Sequence, residues 1–535
     1  MKINLKITTF LFTLGLCTSC GDFLEPQSQQ YFVPKDVQSI DDMLLGTAYP
    51  RPTELYTDIT AMLNLLDDDI TFTMQPGSVY SFDLTSMRAS LAIYSWQPDM
   101  FTQYREFAGS YGGYYHNLWQ YHYELILGAN AALDYVDKVT GSDNDKNRVK
   151  AQAYALRAFY YFNLVNIFGE PYNYNPEAPG VPLKTDSSIE GLDVPRNSVR
   201  EVYEQIVSDL LDSERYFRSI PESEQYRPDY RVSLPMAQLL LSRVYLYMEN
   251  WKGAAEYAGK VIHDWSFSLL DLNSLPAPVT PDASNKRTYE GIISPDSPET
   301  IWLYGKTTDY YNYVGKTFNS SLFDYSNGGP SGMYFNATKE LIACFGENDL
   351  RKDFYIFREG AYQKDTIFLA YGKAIPFLPT STLPESSSFA RAFRLSEAYL
   401  NLAEAAAMDP ELDDQTALDA LNDLLEKRIK QGEFTPLSLS DLSGDALVER
   451  IRQERRAELC FENHRWFDLR RYGMPEIKHR FRRTDAMGNF VDPVVVQVLQ
   501  KNDPSYTLPI PEEVLQKNKG LVQNKPTSGK EPVVQ

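Results

Sequence analysis

The chain has little cysteine, no long apolar run and a deficit of positive charge, and each shortage removes a class of protein. Four cysteines in 535 residues (Cys17, Cys20, Cys344 and Cys460) are too few for a disulfide framework, and no C-x-x-C pair recurs to hold a structural zinc. No apolar run reaches the ~18 residues that cross a bilayer, so no spanning helix is expected. Basic residues number 52 against 72 acidic ones, a formal net charge of -20. Such a field repels polyphosphate, and nucleic acid is not an expected partner.

Enzymatic signatures are missing as well. The five histidines (His116, His122, His263, His464 and His479) show no metal-ligand spacing, and neither H-E-x-x-H nor G-x-S-x-G occurs. Gly305-Lys306-Thr307 and Gly315-Lys316-Thr317 each end like a phosphate loop, but Thr300 and Tyr310 stand where the earlier glycine is needed. Asp143 to Asn147 begins like a calcium loop; Arg148 at the glycine position and Tyr154 at the last carboxylate position make it a solvated turn instead. No metal or other cofactor is expected, and the chain reads as a non-enzyme.

What is present is a helical pattern. The segment Gln152 to Gly169 has apolar residues at three- and four-residue steps on two faces, so it should lie between neighbours. Gly169 and Pro171 should stop it, the glycine in a left-handed turn. Ser198 and Glu201 form a capping box ahead of Val202, Ile206 and Leu210. Pro235 opens a helix that leads, after Glu249-Asn250, into a second from Trp251 to His263. Further helices are expected at about 114–138, 394–408, 414–430 and 445–472. Helix pairs with short turns and alanines at the crossings predict a mainly α chain, a tetratricopeptide-like array without a strict period.

Two stretches break the pattern, at about 50–113 and 264–390. They are rich in Pro, Gly, Ser, Asn, Asp and Tyr, and too long for structureless loops. They are expected to form an irregular, loop-rich ligand-binding subdomain with short strands, carried on helical elements at about 114–263 and 391–472. The C-terminal segment is 473–535. A sugar ring offers C–H groups to an aromatic face and hydroxyls to polar neighbours, so the candidate contacts are Tyr94, Trp96, Tyr310, Tyr311 and Tyr325, with Asp68 from the run Asp67-Asp68-Asp69. Glycosidases place their two acids by fold, so the residues alone leave a secreted glycoside hydrolase and a protein-binding scaffold open. The charge-dense run Glu454 to Gly473 interleaves acids with arginines at helical spacing and reads as a salt-bridged structural helix.

At the amino terminus, Lys2 and Lys6 precede the apolar run Ile7 to Leu16, the form of a secretory signal covering residues 1–19. Thr18-Ser19-Cys20 resembles the lipobox of bacterial lipoproteins, with Cys17 where leucine is usual, so Cys20 is the expected lipidated residue. Five stretches resemble the SusD/RagB-type outer-membrane lipoproteins: residues 18–24, 152–172, 234–262, then 394–407 with 454–473, and finally 506–524. The resemblance implies one SusD-like domain over 20–535, lipid-anchored in the cell outer membrane and facing outward. It implies capture of oligosaccharide and delivery to a SusC-like TonB-dependent transporter, without catalysis; peptide capture by the same machinery is the variant it leaves open. The matching stretches are scaffold, so the resemblance assigns no role to the tyrosines or to Trp96.

Overall fold

The computed structural model describes residues 34–50, 61–72, 90–110, 118–188, 193–228, 231–276, 292–305, 335–362, 365–369, 389, 391–485, 490–525 and 529–534. Cys20, Tyr310, Tyr311 and Tyr325 lie outside them. The scaffold helices are α1 (Val37–Thr47), α2 (Met100–Ser110), α3 (Leu118–Tyr135), α4 (Asp143–Phe168), α5 (Val199–Arg218), α6 (Leu234–Tyr247), α7 (Trp251–His263), α8 (Leu395–Met408), α9 (Asp414–Glu426), α10 (Asp445–Glu458) and α11 (Arg465–Arg471). The mainly α class and the helix-pair array are as expected.

Helix α4 begins earlier than its apolar pattern. Ser142 is its N-cap, accepting the Asp145 N–H at 3.1 Å, and Asp143 and Asp145 sit at the positive end of the helix. The reading of residues 143–147 as a solvated turn is therefore corrected: the aspartates are the first turn of a helix. From Ala151 onward nearly every α4 side chain is buried, because α3 covers one flank and α5 the other. A buried fork from Arg157 to Asp209, at 2.8 and 2.6 Å, ties α4 to α5. Gly169 does end the helix, but at φ -104 and not in a left-handed turn. A Cβ there would lie 2.8 Å from the Val165 carbonyl oxygen, so close approach is what requires glycine.

The capping box forms in full: Glu201 N–H donates to Ser198 Oγ at 3.2 Å, and Ser198 N–H donates to Glu201 Oε2 at 2.7 Å. Each of α3 to α7 packs on its chain neighbours. Helix α7 then packs on α8, so the array continues across the intervening stretch, and α8 carries α9 and α10. The helix expected over 445–472 is two helices. The chain reverses between them through Phe461 (φ 61) and Asn463 (φ 67), neither of them glycine.

The irregular stretches carry short strands, as expected, and also α2, which was not. Strand β1 (Ile70–Phe72) pairs antiparallel with β3 (Phe335–Ala337), and β2 (Thr300–Tyr304) with β6 (Arg391–Arg394). A hairpin of β4 (Phe357–Tyr362) and β5 (Asp365–Leu369) stands apart from a sheet in the order β7 (Ile477–Thr484), β8 (Phe490–Leu499), β9 (Val533–Val534). The main hydrophobic core runs from Val37 to Leu521, and a smaller one packs α9 between α8 and α10.

Candidate functional site

The described candidates converge on one place, but in roles other than ligand contact. Asp67, Asp68 and Asp69 form the bend between a 3-10 turn (Ala61–Leu65) and β1. Asp67 Oδ1 accepts the Asp69 N–H at 2.9 Å, the short-range bond that lets aspartate shape a turn. Arg465 at the start of α11 grips both oxygens of Asp68, at 2.7 and 2.8 Å, and Arg456 of α10 donates to Asp69 Oδ1 at 2.7 Å and to the Asp68 carbonyl at 2.9 Å. From the other side, Thr338 N–H donates to the Asp69 carbonyl at 2.9 Å.

Burial works to raise the Asp68 carboxyl, but the hydrogen bonds and charge of Arg465, with Arg456 beside it, bring it down to about 2. Asp67, which has no guanidinium of its own, is held well above the usual carboxylate range by burial and then by Asp69 and Asp68. Burial also raises Asp69 against the pull of Arg456, and its Oδ2 has no hydrogen-bond partner among the described residues. Asp68, 29% exposed at the side chain, is thus committed to Arg465. The bend it sits in is held by Arg465 and Arg456 and is not a freely solvated loop.

The expected exposure of Tyr94 and Trp96 is also corrected. Trp96 is 0% exposed and Tyr94 1%. Trp96 Nε1 donates to the Leu66 carbonyl at 3.0 Å, Phe72 N–H donates to Tyr94 Oη at 3.3 Å, and both rings stack on His479. No face of either ring is open to a sugar. Trp96 (φ 51) ends the helical residues 90–94, with its N–H on the Ile93 carbonyl at 2.9 Å and Gln97 N–H on the Ala92 carbonyl at 2.9 Å. That is a C-terminal cap in which glycine normally takes the left-handed position. A tryptophan there stores backbone strain, which its buried ring and indole bond offset.

Sequence reasoning missed His479, Arg456 and Arg465. His479 had a signal: Ile477, His479 and Phe481 are buried while Lys478 and Arg480 between them are exposed, the period of a half-buried strand. The arginines had none, because local acids seemed sufficient partners.

The run Glu454 to Gly473 is salt-bridged, mostly to residues far away in sequence. Glu458 is fully buried and receives Arg394 at 3.0 Å, Arg428 at 2.9 Å and Arg351 at 3.4 Å, with Tyr355 Oη donating at 2.9 Å. Arg394 and Arg428 also hold Glu299, and Arg394 holds Glu462. Burial would raise the Glu458 carboxyl, yet Arg428, Arg394 and Arg351 bring it well below its ordinary range. Among the described residues Arg470 pairs with no carboxylate; it donates to the carbonyls of Asn166 and Gly169 at the negative end of α4, and burial lowers it to about 10.

A cavity of about 20 Å³ lies between Phe159, Phe162, Asn163, Arg243, Tyr247 and Tyr304. It has room for one water and not for a sugar ring. Among the described residues no group of His, Cys, Asp and Glu is arranged to hold a metal ion, and no helix is long and apolar enough to cross a membrane.

Residues 51–246 match a SusD-like family model described as starch-binding associating with outer membrane, and residues 378–527 match the model of the SusD family itself. The chain belongs to the SusD/RagB family. SusD-like protein P2 of Formosa agariphila is 26% identical over 426 residues, covering 76% of this chain and 79% of that one. SusD-like protein P25 of the same organism is 22% identical, covering 99% of both. Solved SusD-like structures share the fold. A SusD-like carbohydrate binding protein from Bacteroides vulgatus superposes with a TM-score of 0.61 at 22% identity, covering 91% of this chain and 98% of that one. A laminarin binding SusD-like protein superposes with a TM-score of 0.60 at 23% identity, covering 92% and 99%. In this SusD-family chain the matched segments contain the scaffold helices α3 to α6 and α8 to α11.

Proposed function

We propose that this chain is a non-catalytic lipoprotein of the outer-membrane surface that captures oligosaccharide and passes it intact to a SusC-like TonB-dependent transporter. The observation that carries the reading is the family match over residues 51–246 and 378–527. The laminarin-binding relative, which shares the fold, supports a glycan as the cargo class.

The division of labour within the chain is consistent with this. The described candidates Asp68, Tyr94 and Trp96, all in the first irregular stretch, are held in the packed body of the protein, so ligand contact falls to the second stretch at about 264–390. Tyr310, Tyr311 and Tyr325 are the residues we propose for it, as stacking platforms for sugar rings. Cys20 is the proposed site of lipid attachment, and a single domain over 20–535 the proposed unit.

Affinity electrophoresis through gels containing laminarin, starch or another polysaccharide tests the reading. Retardation with no release of reducing ends is the expected result, and Tyr310→Ala with Tyr325→Ala should reduce it without lowering the thermal midpoint. Migration unaffected by every polysaccharide, or hydrolysis of one, would overturn it. Cys20→Ala should move the protein from the membrane to the soluble fraction.

A further inference from the structure

His479 lies at the centre of the aspartate cluster, and nothing in the proposed function uses it. It is 2% exposed. Its Nδ1 is 2.6 Å from the carbonyl oxygen of Tyr94, and its Nε2 is 2.8 Å from the carbonyl oxygen of Asp67. The Tyr94 ring stacks at 3.9 Å and 7°, the Trp96 ring at 4.1 Å and 21°. Two rings so near and so parallel must lie on opposite faces of the imidazole.

A carbonyl oxygen only accepts, and a neutral imidazole has one N–H and one bare lone pair. Whichever tautomer it takes, one contact sets lone pair against lone pair, inside a sandwich of rings that excludes relieving water. An imidazolium donates from both nitrogens, and both distances are those of charge-assisted bonds. Aromatic faces above and below attract a cation.

The surrounding charges agree. Asp67, Asp68 and Asp69 face His479 from their bend, and Tyr94, kept neutral by burial, faces it from residues 90–96. Arg456 and Arg465 reach the cluster from α10 and α11 and are spent on Asp68 and Asp69. Lys478 and Arg480, its neighbours on β7, are exposed. Three acids therefore meet two guanidiniums, and Asp67 is the acid left over. Burial works to lower the imidazole, with the two carbonyls and Asp68 working against it, and pushes Asp67 up. Only a second ring proton lets the imidazole satisfy both carbonyls.

We infer that His479 is a buried imidazolium, clamped between Tyr94 and Trp96, that adds a cation to the three-aspartate bend and fastens the 61–72 segment and residues 90–96 to strand β7. The clasp joins parts of the chain 385 and 412 residues apart. It also braces the left-handed Trp96 and, through Tyr94, the end of β1 at Phe72, whose N–H donates to the Tyr94 hydroxyl.

Nitrogen NMR of the full chain with 15N-labelled histidine, near neutral pH, decides the charge. The expected spectrum has one histidine with two slowly exchanging ring N–H groups, lost in His479→Gln. His122 is an internal reference for a neutral buried ring, since its Nδ1 meets the Leu118 carbonyl and its Nε2 has no hydrogen-bond partner among the described residues. A spectrum in which every buried histidine carries a single ring proton overturns the inference, even if the variant fails to fold. Stability gives a second reading. A stabilised imidazolium has a folded pKa above the unfolded value of ~6.5, so its contribution is complete below that pH and disappears as pH rises through the folded value. The thermal midpoint of the wild type relative to His479→Gln should therefore fall as pH is raised from about 7 to about 9. A gap that stays constant over that range, or widens, overturns it as well.

Discussion

Two buried charge clusters share the stretch from Glu454 to Arg471 and solve the same problem in opposite ways. Around Glu458, one carboxylate is surrounded by the guanidiniums of Arg351, Arg394 and Arg428. Around Asp67, Asp68 and Asp69, Arg456 and Arg465 hold the side chains of Asp69 and Asp68, and His479 meets the Asp67 carbonyl. At the centre of the first cluster three guanidiniums converge on one carboxylate and hold Glu458 well below its usual range; in the second, two guanidiniums serve Asp68 and Asp69, and burial drives Asp67 up. A buried charge is tolerated when its partners outnumber it, and where they do not, a proton becomes the adjustable part.

The largest effect should come from the centre of the first cluster. Glu458→Gln leaves three guanidiniums and the Tyr355 hydroxyl around an amide, and loss of one partner from a buried network costs about 3–5 kcal/mol. Urea unfolding measures it, and a change under about 1 kcal/mol would place the stabilisation elsewhere. The same cluster sets an acid limb. Because the folded Glu458 pKa is depressed, its contribution is full above the unfolded value of ~4.3 and lost as pH falls through the folded one. Thermal midpoints taken down the acid range should show that limb in the wild type and not in Glu458→Gln.

In the second cluster Trp96→Ala should cost about 3–5 kcal/mol, since it removes a fully buried ring along with the indole bond to Leu66. Unaltered stability in Trp96→Ala would mean that the ring does not repay its left-handed backbone. Asp68→Asn breaks the fork to Arg465 at a partly exposed site, where solvent screening reduces the loss to about 1–2 kcal/mol. Smallest of all, Ser198→Ala removes a cap outside both clusters and should cost about 1 kcal/mol. A loss for Asp68→Asn that exceeds the one for Glu458→Gln would invert the comparison.

The scaffold was readable because its signals are local. Apolar spacing over Gln152 to Gly169 announced a helix buried on two sides, and Ser198 with Glu201 announced the start of α5 to the residue. Gly169 marked a true boundary for a reason other than the expected one. Local signals failed where distant partners decide. Nothing near Phe461 or Asn463 marks a reversal, yet the chain turns there and brings Glu462 to Arg394, 68 residues away. Trp96 looked like an exposed platform because tryptophan among polar neighbours suits a sugar, and no local feature foretold that His479 covers it.

By itself, then, the order of residues determined the helices, their caps, the pairing of neighbours along the array and the family to which the chain belongs. Those follow from periodicity and hydrogen bonding within a few residues of each position. The tertiary structure alone decided which acids face which arginines, that Asp68 is a strut, and that Tyr94 and Trp96 enclose a histidine. Ion pairing and burial depend on groups hundreds of residues apart, and only the folded chain brings them within reach.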